Sequence, residues 1–122
     1  MKSDKRGFQR LLAATKYSKE GILSAWTTEE AFRQEMILYC ILLPVIFLIP
    51  TSINLKILLF FANSIVIITE LLNSAIESIV DLVSPDYNIF AKRAKDMGSA
   101  AVLFSLVISV VTWSGVILSM LQ

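Results

Sequence analysis

Five polar side chains within one apolar stretch of the sequence have the types and spacing that acid–base or metal chemistry needs. They are Glu70, Asn73, Ser74, Glu77 and Asp81, and most of the residues between them are isoleucine, leucine or valine. At 3.6 residues per helical turn, these positions fall on one face of an α-helix. Carboxylate oxygens on one face can accept a proton or hold a divalent cation.

Depth along this helix separates the carboxylates into two kinds. Glu70 is the only ionisable side chain between Ile57 and Ile76, and it lies about 10 Å from Glu77 at 1.5 Å per residue. A carboxylate at that depth in an apolar environment is costly unless it is compensated. We therefore predict that Glu70 is a deep functional carboxylate and that Glu77 and Asp81 lie near water. Two structural alternatives remain: acids solvated at a helix end, or polar contacts between protomers.

The elements that carry this face are predicted to be membrane helices. Hydrophobic residues make up 56% of the 122 residues, and the mean hydropathy of +0.71 is too high for a soluble domain of this size. Three nearly uncharged stretches reach the roughly 20 residues that cross a bilayer as a helix. We expect an all-α membrane protein with one domain over residues 1–122 and spans at about 32–50, 55–83 and 94–121.

The segment before the first span is predicted to be an amphipathic helix at about residues 7–26, lying on the membrane surface. Its apolar residues recur at helical spacing with basic residues between them. Thr27 and Glu30 have the spacing of a capping box that would begin the next helix. The single Cys40 is expected to be a small buried side chain, and Trp113 to lie at the outer interface.

The distribution of basic residues predicts the orientation in the membrane. Seven of the eleven Lys and Arg residues precede the first span, three lie between the second and third spans, and none follows the third. The positive-inside rule then places the N-terminus in the cytoplasm and the C-terminus outside. The seven are Lys2, Lys5, Arg6, Arg10, Lys16, Lys19 and Arg33.

Several classes of site are excluded by composition. The chain has no histidine and one cysteine, so histidine catalysis and thiolate metal clusters are absent. It has neither a glycine-rich Walker loop nor the motifs of soluble protein kinases. A nucleic-acid role is not expected, because the net charge is only +1 and there is no basic stripe outside the membrane-facing segment. Any nucleotide would have to be held by carboxylates with Mg²⁺ and by basic side chains.

Three separated motifs resemble the prokaryotic diacylglycerol kinase family over nearly the whole chain. They are Ala31-Phe32-Arg33-Gln34-Glu35, then Glu70-x-x-Asn73-Ser74-Ala75-Ile76-Glu77, then Arg93-Ala94-Lys95-Asp96-Met97-Gly98-Ser99-Ala100-Ala101. The resemblance implies a homotrimer in the bacterial cytoplasmic (inner) membrane. It also implies active sites at the cytoplasmic interface that use ATP with Mg²⁺. The loop at 84–90 departs from the family pattern through Pro85 and Asn88.

The resemblance also implies roles for individual residues. Glu70 would be the general base, supported by Asn73, and Glu29 and Glu77 would hold the metal. The nucleotide contacts would be Arg10, Tyr17, Glu29, Glu77, Asp86, Tyr87, Asn88, Lys95 and Asp96. The contacts with the lipid substrate would be Arg10, Arg33, Gln34, Glu70 and Ser99.

These roles predict phosphoryl transfer from ATP to the hydroxyl of diacylglycerol, which gives phosphatidic acid. Glu70 would take the proton of the alcohol as its oxygen attacks the γ-phosphate, without a covalent intermediate. Lys95 would offset the charge that develops on the phosphate. Two alternatives remain from the sequence: an undecaprenol kinase of the same family, and a membrane scaffold without enzymatic activity.

Overall fold

A computed structural model describes residues 6–122, which form four α-helices joined by short connections. The helices are α1 (Phe8–Thr28), α2 (Glu30–Leu48), α3 (Ile53–Val83) and α4 (Ile89–Met120). No strand occurs among these described residues, so the all-α prediction is confirmed. Lys2 and Lys5, which entered the orientation argument, lie outside them. The helices α2, α3 and α4 are each long and apolar enough to cross a membrane.

Side-chain caps set the beginnings of α3 and α4. The Ser52 hydroxyl accepts a hydrogen bond from the Leu55 amide at 3.4 Å. The side-chain oxygen of Asn88 accepts from the amides of Phe90 at 2.9 Å and Ala91 at 3.2 Å. Because Asn88 satisfies these two donors, α4 begins at Ile89, earlier than the start near residue 94 that hydropathy alone predicts.

The boundary between α1 and α2 differs from the predicted capping box. The hydroxyls of Thr27 and Thr28 both donate to the Ser24 carbonyl at 2.9 Å, so α1 continues through both threonines. The break falls at Glu29, which is extended (φ −114°, ψ 107°) and makes no capping bond with its side chain. The prediction of Thr27 as N-cap was wrong because a threonine hydroxyl can also bond back to its own helix.

The most extensive helix–helix contact in the fold joins α3 to α4, and α2 also packs on α3. Near the end of the bundle that holds the α2–α3 connection, Ile46, Leu59 and Val116 form an apolar core. Beside this core the buried Asn63 accepts hydrogen bonds from Ser109 at 3.2 Å and from Trp113 at 3.3 Å. Trp113 therefore contacts α3 within the bundle, in addition to the outer-interface role expected from its position.

Cys40 lies on the exposed surface of α2, so the prediction that it is buried was wrong. An apolar run in a membrane helix does not reveal which residues face neighbouring helices, because lipid tails are as apolar as a protein core.

Gly98 allows the close approach of α4 to α3. A Cβ added at Gly98 would collide with the side-chain oxygen Oδ1 of Asn73. That oxygen is buried and accepts no hydrogen bond, so it faces the Cα of Gly98 directly. Small residues at helix crossings in membranes let backbones approach in this way.

We therefore expect Gly98→Ala to lower the stability of the α3–α4 contact, by about 1–3 kcal/mol as for other overpacked sites. Thermal unfolding in one detergent would measure the change. Gly115→Ala is the matched control, because a Cβ at this glycine of the same helix has no neighbour within 4 Å. Equal unfolding temperatures for Gly98→Ala and Gly115→Ala would contradict this account of the packing.

Candidate active site

The polar face of α3 becomes more exposed from Glu70 to Asp81. Only 5% of the Glu70 surface is exposed, Glu77 is half-buried, and Asp81 is exposed. This order is the one predicted from the spacing along the helix. The long α3 thus carries its carboxylates from the interior of the bundle to its surface.

Glu70 is a buried carboxylate whose closest charged neighbours are other acids. No hydrogen bond or ion pair joins it to any of the described residues. Burial removes water from the Glu70 carboxylate, and the acids Glu35, Glu77 and Glu29 are near enough for their charges to reach it. Like charges near a desolvated carboxylate raise its energy further, so a proton or a cation would relieve this cluster.

Asn73 lies on α3 between Glu70, the predicted general base, and Glu77, a predicted metal ligand, and it contacts Glu77. Its amide nitrogen donates to Glu77 Oε1 at 3.5 Å, a long hydrogen bond. Its oxygen faces Gly98 on α4. Asn73 therefore orients Glu77 in this structure, whereas the sequence placed it as a support for Glu70.

Glu29 lies at the bend between α1 and α2, next to a groove between α1 and α3. Small and hydroxyl-bearing residues line most of this groove of about 420 Å³, among them Ser18, Gly21, Ser74 and Ser78. Because its side chain makes no capping bond, the Glu29 carboxylate is free to bind a ligand. Among residues 6–122, no cluster of three or more acid, histidine or cysteine side chains could hold a metal by itself.

A second groove, of about 440 Å³, surrounds the connection between α3 and α4. It brings together five of the predicted nucleotide contacts, Asp86, Tyr87, Asn88, Lys95 and Asp96, with Asp81 and Lys92 among the other lining residues. The remaining predicted nucleotide contacts, Arg10, Tyr17, Glu29 and Glu77, do not line it.

Both lysines of this groove are paired with acids. Lys95 Nζ lies 2.7 Å from Asp81 of α3, and Lys92 Nζ lies 2.5 Å from Asp96 one turn further along α4. Lys95 does not pair with the adjacent Asp96, because consecutive residues on a helix point in different directions.

The predicted lipid contacts do not converge within one chain. The guanidinium of Arg33 donates to the Trp26 carbonyl at 2.9 Å and so ties α2 to the end of α1. Gln34 donates to Glu30 at 3.3 Å. Arg10 and Ser99 are exposed, and within the described part of the chain no hydrogen bond links either of them to Glu70.

Glu35 is the residue that the sequence reasoning left without a role. It belongs to the first of the three motifs, and its carboxylate is one of the acids whose charge reaches Glu70. It also lines a groove of about 340 Å³ between α2 and α4. The available signal was that Glu35 is the last charged residue before the uncharged stretch from Met36 to Leu55.

Comparisons with known proteins identify the family. Residues 16–117 match the family described as prokaryotic diacylglycerol kinase. The chain is 45% identical over 112 residues to a diacylglycerol kinase of Pseudomonas aeruginosa, covering 92% of this chain and 91% of the relative. It is 39% identical over 113 residues to that of Escherichia coli K12, with 93% of each chain covered. For that of Haemophilus influenzae the identity is 41% over 112 residues, with 91% and 94% covered. The chain therefore belongs to the prokaryotic diacylglycerol kinase family.

Proposed function

We propose that this chain phosphorylates the free hydroxyl of diacylglycerol with ATP and releases phosphatidic acid at the membrane surface. The observation that carries the proposal is the buried Glu70, about 10 Å along α3 from the half-buried Glu77, in a member of this family. One end of this carboxylate face can meet a lipid alcohol within the bilayer. The other end can meet a nucleotide from water.

Glu70 is proposed as the general base. Its carboxylate has no partner among the described residues, so its oxygens are free to accept the proton of the lipid hydroxyl. The oxygen of the alcohol then bonds to the γ-phosphorus while the bond to the β-phosphate oxygen breaks and ADP leaves. Direct transfer of this kind needs no nucleophilic side chain.

Glu29 and Glu77 are proposed to hold Mg²⁺. Two protein carboxylates suit this ion, because Mg²⁺ is usually bound through one or two carboxylates together with phosphate oxygens and water. Held by Glu29 and Glu77, the ion would supply positive charge that offsets the negative charge of the phosphates. The hydrogen bond from Asn73 orients Glu77, and the break before α2 leaves the Glu29 side chain free.

The groove at the α3–α4 connection is proposed as part of the nucleotide site. It contains Asp86, Tyr87, Asn88, Lys95 and Asp96. A phosphate would compete with Asp81 for Lys95, since the ion pair between them is exposed and such pairs are weak. Arg10 and Tyr17 on α1, both exposed, are proposed as further contacts with the nucleotide.

A homotrimer is proposed as the active assembly. The resemblance to the family implies the trimer, and shielding of Glu70 adds no support because a single chain already buries it. The remaining support is that Arg10, Arg33, Gln34 and Ser99, the proposed lipid contacts, do not converge on Glu70 within one chain. A neighbouring protomer could complete their site. A solubilised monomer with full activity would contradict the proposal.

We further propose one domain with α1 on the surface of the cytoplasmic membrane, the N-terminus inside and the C-terminus outside. The support is the excess of basic residues before α2 and between α3 and α4. A C-terminal reporter that is active only in the cytoplasm would contradict this orientation.

The activity is tested by transfer of label from γ-labelled ATP into lipid. Purified protein in mixed micelles would receive either diacylglycerol or undecaprenol, and the extracted lipid would be identified by chromatography. We expect labelled phosphatidic acid and Mg²⁺ dependence. Labelled undecaprenyl phosphate alone would indicate the other substrate, and no transfer to either lipid would favour a scaffold.

Replacing each glutamate by glutamine separates the two proposed roles. Glu70→Gln keeps the shape but removes the base, so turnover should fall about 10²–10⁴-fold with Mg–ATP binding nearly unchanged. Glu77→Gln removes a metal ligand, so Mg–ATP binding should weaken together with turnover, and added Mg²⁺ should restore part of the activity. Activity assays and nucleotide-binding titrations would measure both effects.

Glu20→Gln on the exposed surface of α1 is the matched control and should behave as the unmodified chain. Thermal unfolding of all three variants distinguishes a lost function from a lost fold. The assignment is wrong if Glu70→Gln keeps near-normal turnover. It is also wrong if added Mg²⁺ rescues Glu70→Gln but not Glu77→Gln.

A further inference from the structure

The outer face of α1 is apolar and exposed. Phe8, Leu12, Leu23 and Trp26 recur along one side of the helix, with exposed fractions of 72%, 56%, 52% and 38%. The opposite side packs on the bundle, where Ala13 and Ala25 are buried and small residues line the groove to α3. Among residues 6–122, the outer face therefore has no packing partner.

Two lysines belong to this outer face. Lys19 lies four residues after Thr15 and four before Leu23, so it stands in the apolar stripe itself, and Lys16 lies beside it. Both are exposed. In the part of the chain that the structure describes, the two ion pairs are those of Lys92 and Lys95, so neither α1 lysine has an acidic partner.

The chemistry of this face favours a bilayer surface over another protein. Lysine is depleted in the cores of protein interfaces, where its ammonium group would lose water. At a bilayer surface the lysine stem can lie among apolar side chains while the ammonium reaches lipid phosphates. Trp26 on the same face also suits the headgroup region.

The two unpaired lysines make the outer face of α1 prefer a membrane surface with a net negative charge. In a zwitterionic lipid the phosphate is balanced by the lipid's own amine, whereas an anionic lipid leaves a net negative charge at the surface. Each lysine near such a surface gains about 1 kcal/mol, which corresponds to about fivefold in the docking equilibrium.

We propose that the outer face of α1 docks on anionic phospholipids through Lys16 and Lys19. Docking holds the inner face of α1, and Glu29 at its end, against α3. This inference concerns binding and does not depend on which lipid the site phosphorylates.

The test uses the full chain with a fluorophore on the outer face of α1. Thr15→Cys in a Cys40→Ala background gives one labelling position, because the sequence has a single cysteine. Nanodiscs of phosphatidylcholine, alone or mixed with phosphatidylglycerol, would contain nitroxide-labelled lipid as a quencher. Quenching reports the docked fraction without any measurement of catalysis.

We expect stronger docking when phosphatidylglycerol is present. In those discs Lys19→Gln should lower the docking equilibrium about fivefold, and Lys16→Gln with Lys19→Gln about 25-fold. Lys19→Arg should dock like the unmodified chain. Lys56→Gln is the control, since it removes the same charge at the beginning of α3, where Lys56 donates to the Phe47 carbonyl.

Equal docking in the two lipids, or normal docking of Lys19→Gln, would overturn the proposal and leave only apolar contact with the bilayer. Crosslinking of the Thr15→Cys position to a second copy in both lipids would overturn it in favour of a protein contact.

Discussion

The desolvation of one carboxylate, that of Glu70, is the constraint to which much of this structure responds. An apolar helix can tolerate such a group only where the bundle or a ligand compensates it. Here Glu70 is buried and has no hydrogen-bond or ion-pair partner among the described residues. The chain itself therefore offers this carboxylate little compensation, and a ligand would have to supply it.

The small residues around this cluster follow from the same constraint. Gly98 lets α4 approach until it faces Asn73, whose amide holds Glu77. Ser74 and Gly21 leave room between α3 and α1. A larger side chain at Gly98 would push α4 away from Asn73 and let water reach this part of the bundle. Close packing and chemical reactivity are linked here through the exclusion of water.

Much of this arrangement could be predicted from the sequence because it depends on spacing within one helix. The shared face of Glu70, Asn73 and Glu77, and their order of exposure, follow from helical geometry. Contacts between helices could not be predicted in this way. The pairing of Lys95 with Asp81 depends on how α4 lies against α3, and hydropathy does not fix that rotation.

The remaining differences between the sequence predictions and the structure arise where a residue has more than one possible set of contacts. The hydroxyls of Thr27 and Thr28 could cap the next helix or bond back to their own, and the sequence does not decide between these. The exposure of Cys40 depends on which side of α2 faces the bundle. The part of α2 from Met36 onward carries no charge on any side, so its sequence does not indicate that direction. Asn63 stands out in the sequence as a polar residue in an apolar helix. Its hydrogen-bond partners, Ser109 and Trp113, lie on another helix and so could not be identified from spacing.

The length of α3 has a mechanical consequence. Its 31 residues extend about 46 Å, whereas the hydrocarbon core of a bilayer is about 30 Å thick. Since the helix is rigid, a thinner bilayer would bring Glu70 closer to the headgroups, and a thicker one would draw Glu77 towards the hydrocarbon. Because α3 has a fixed length and carries its acids at fixed positions, the thickness of the membrane sets how deep Glu70 and Glu77 lie in the bilayer.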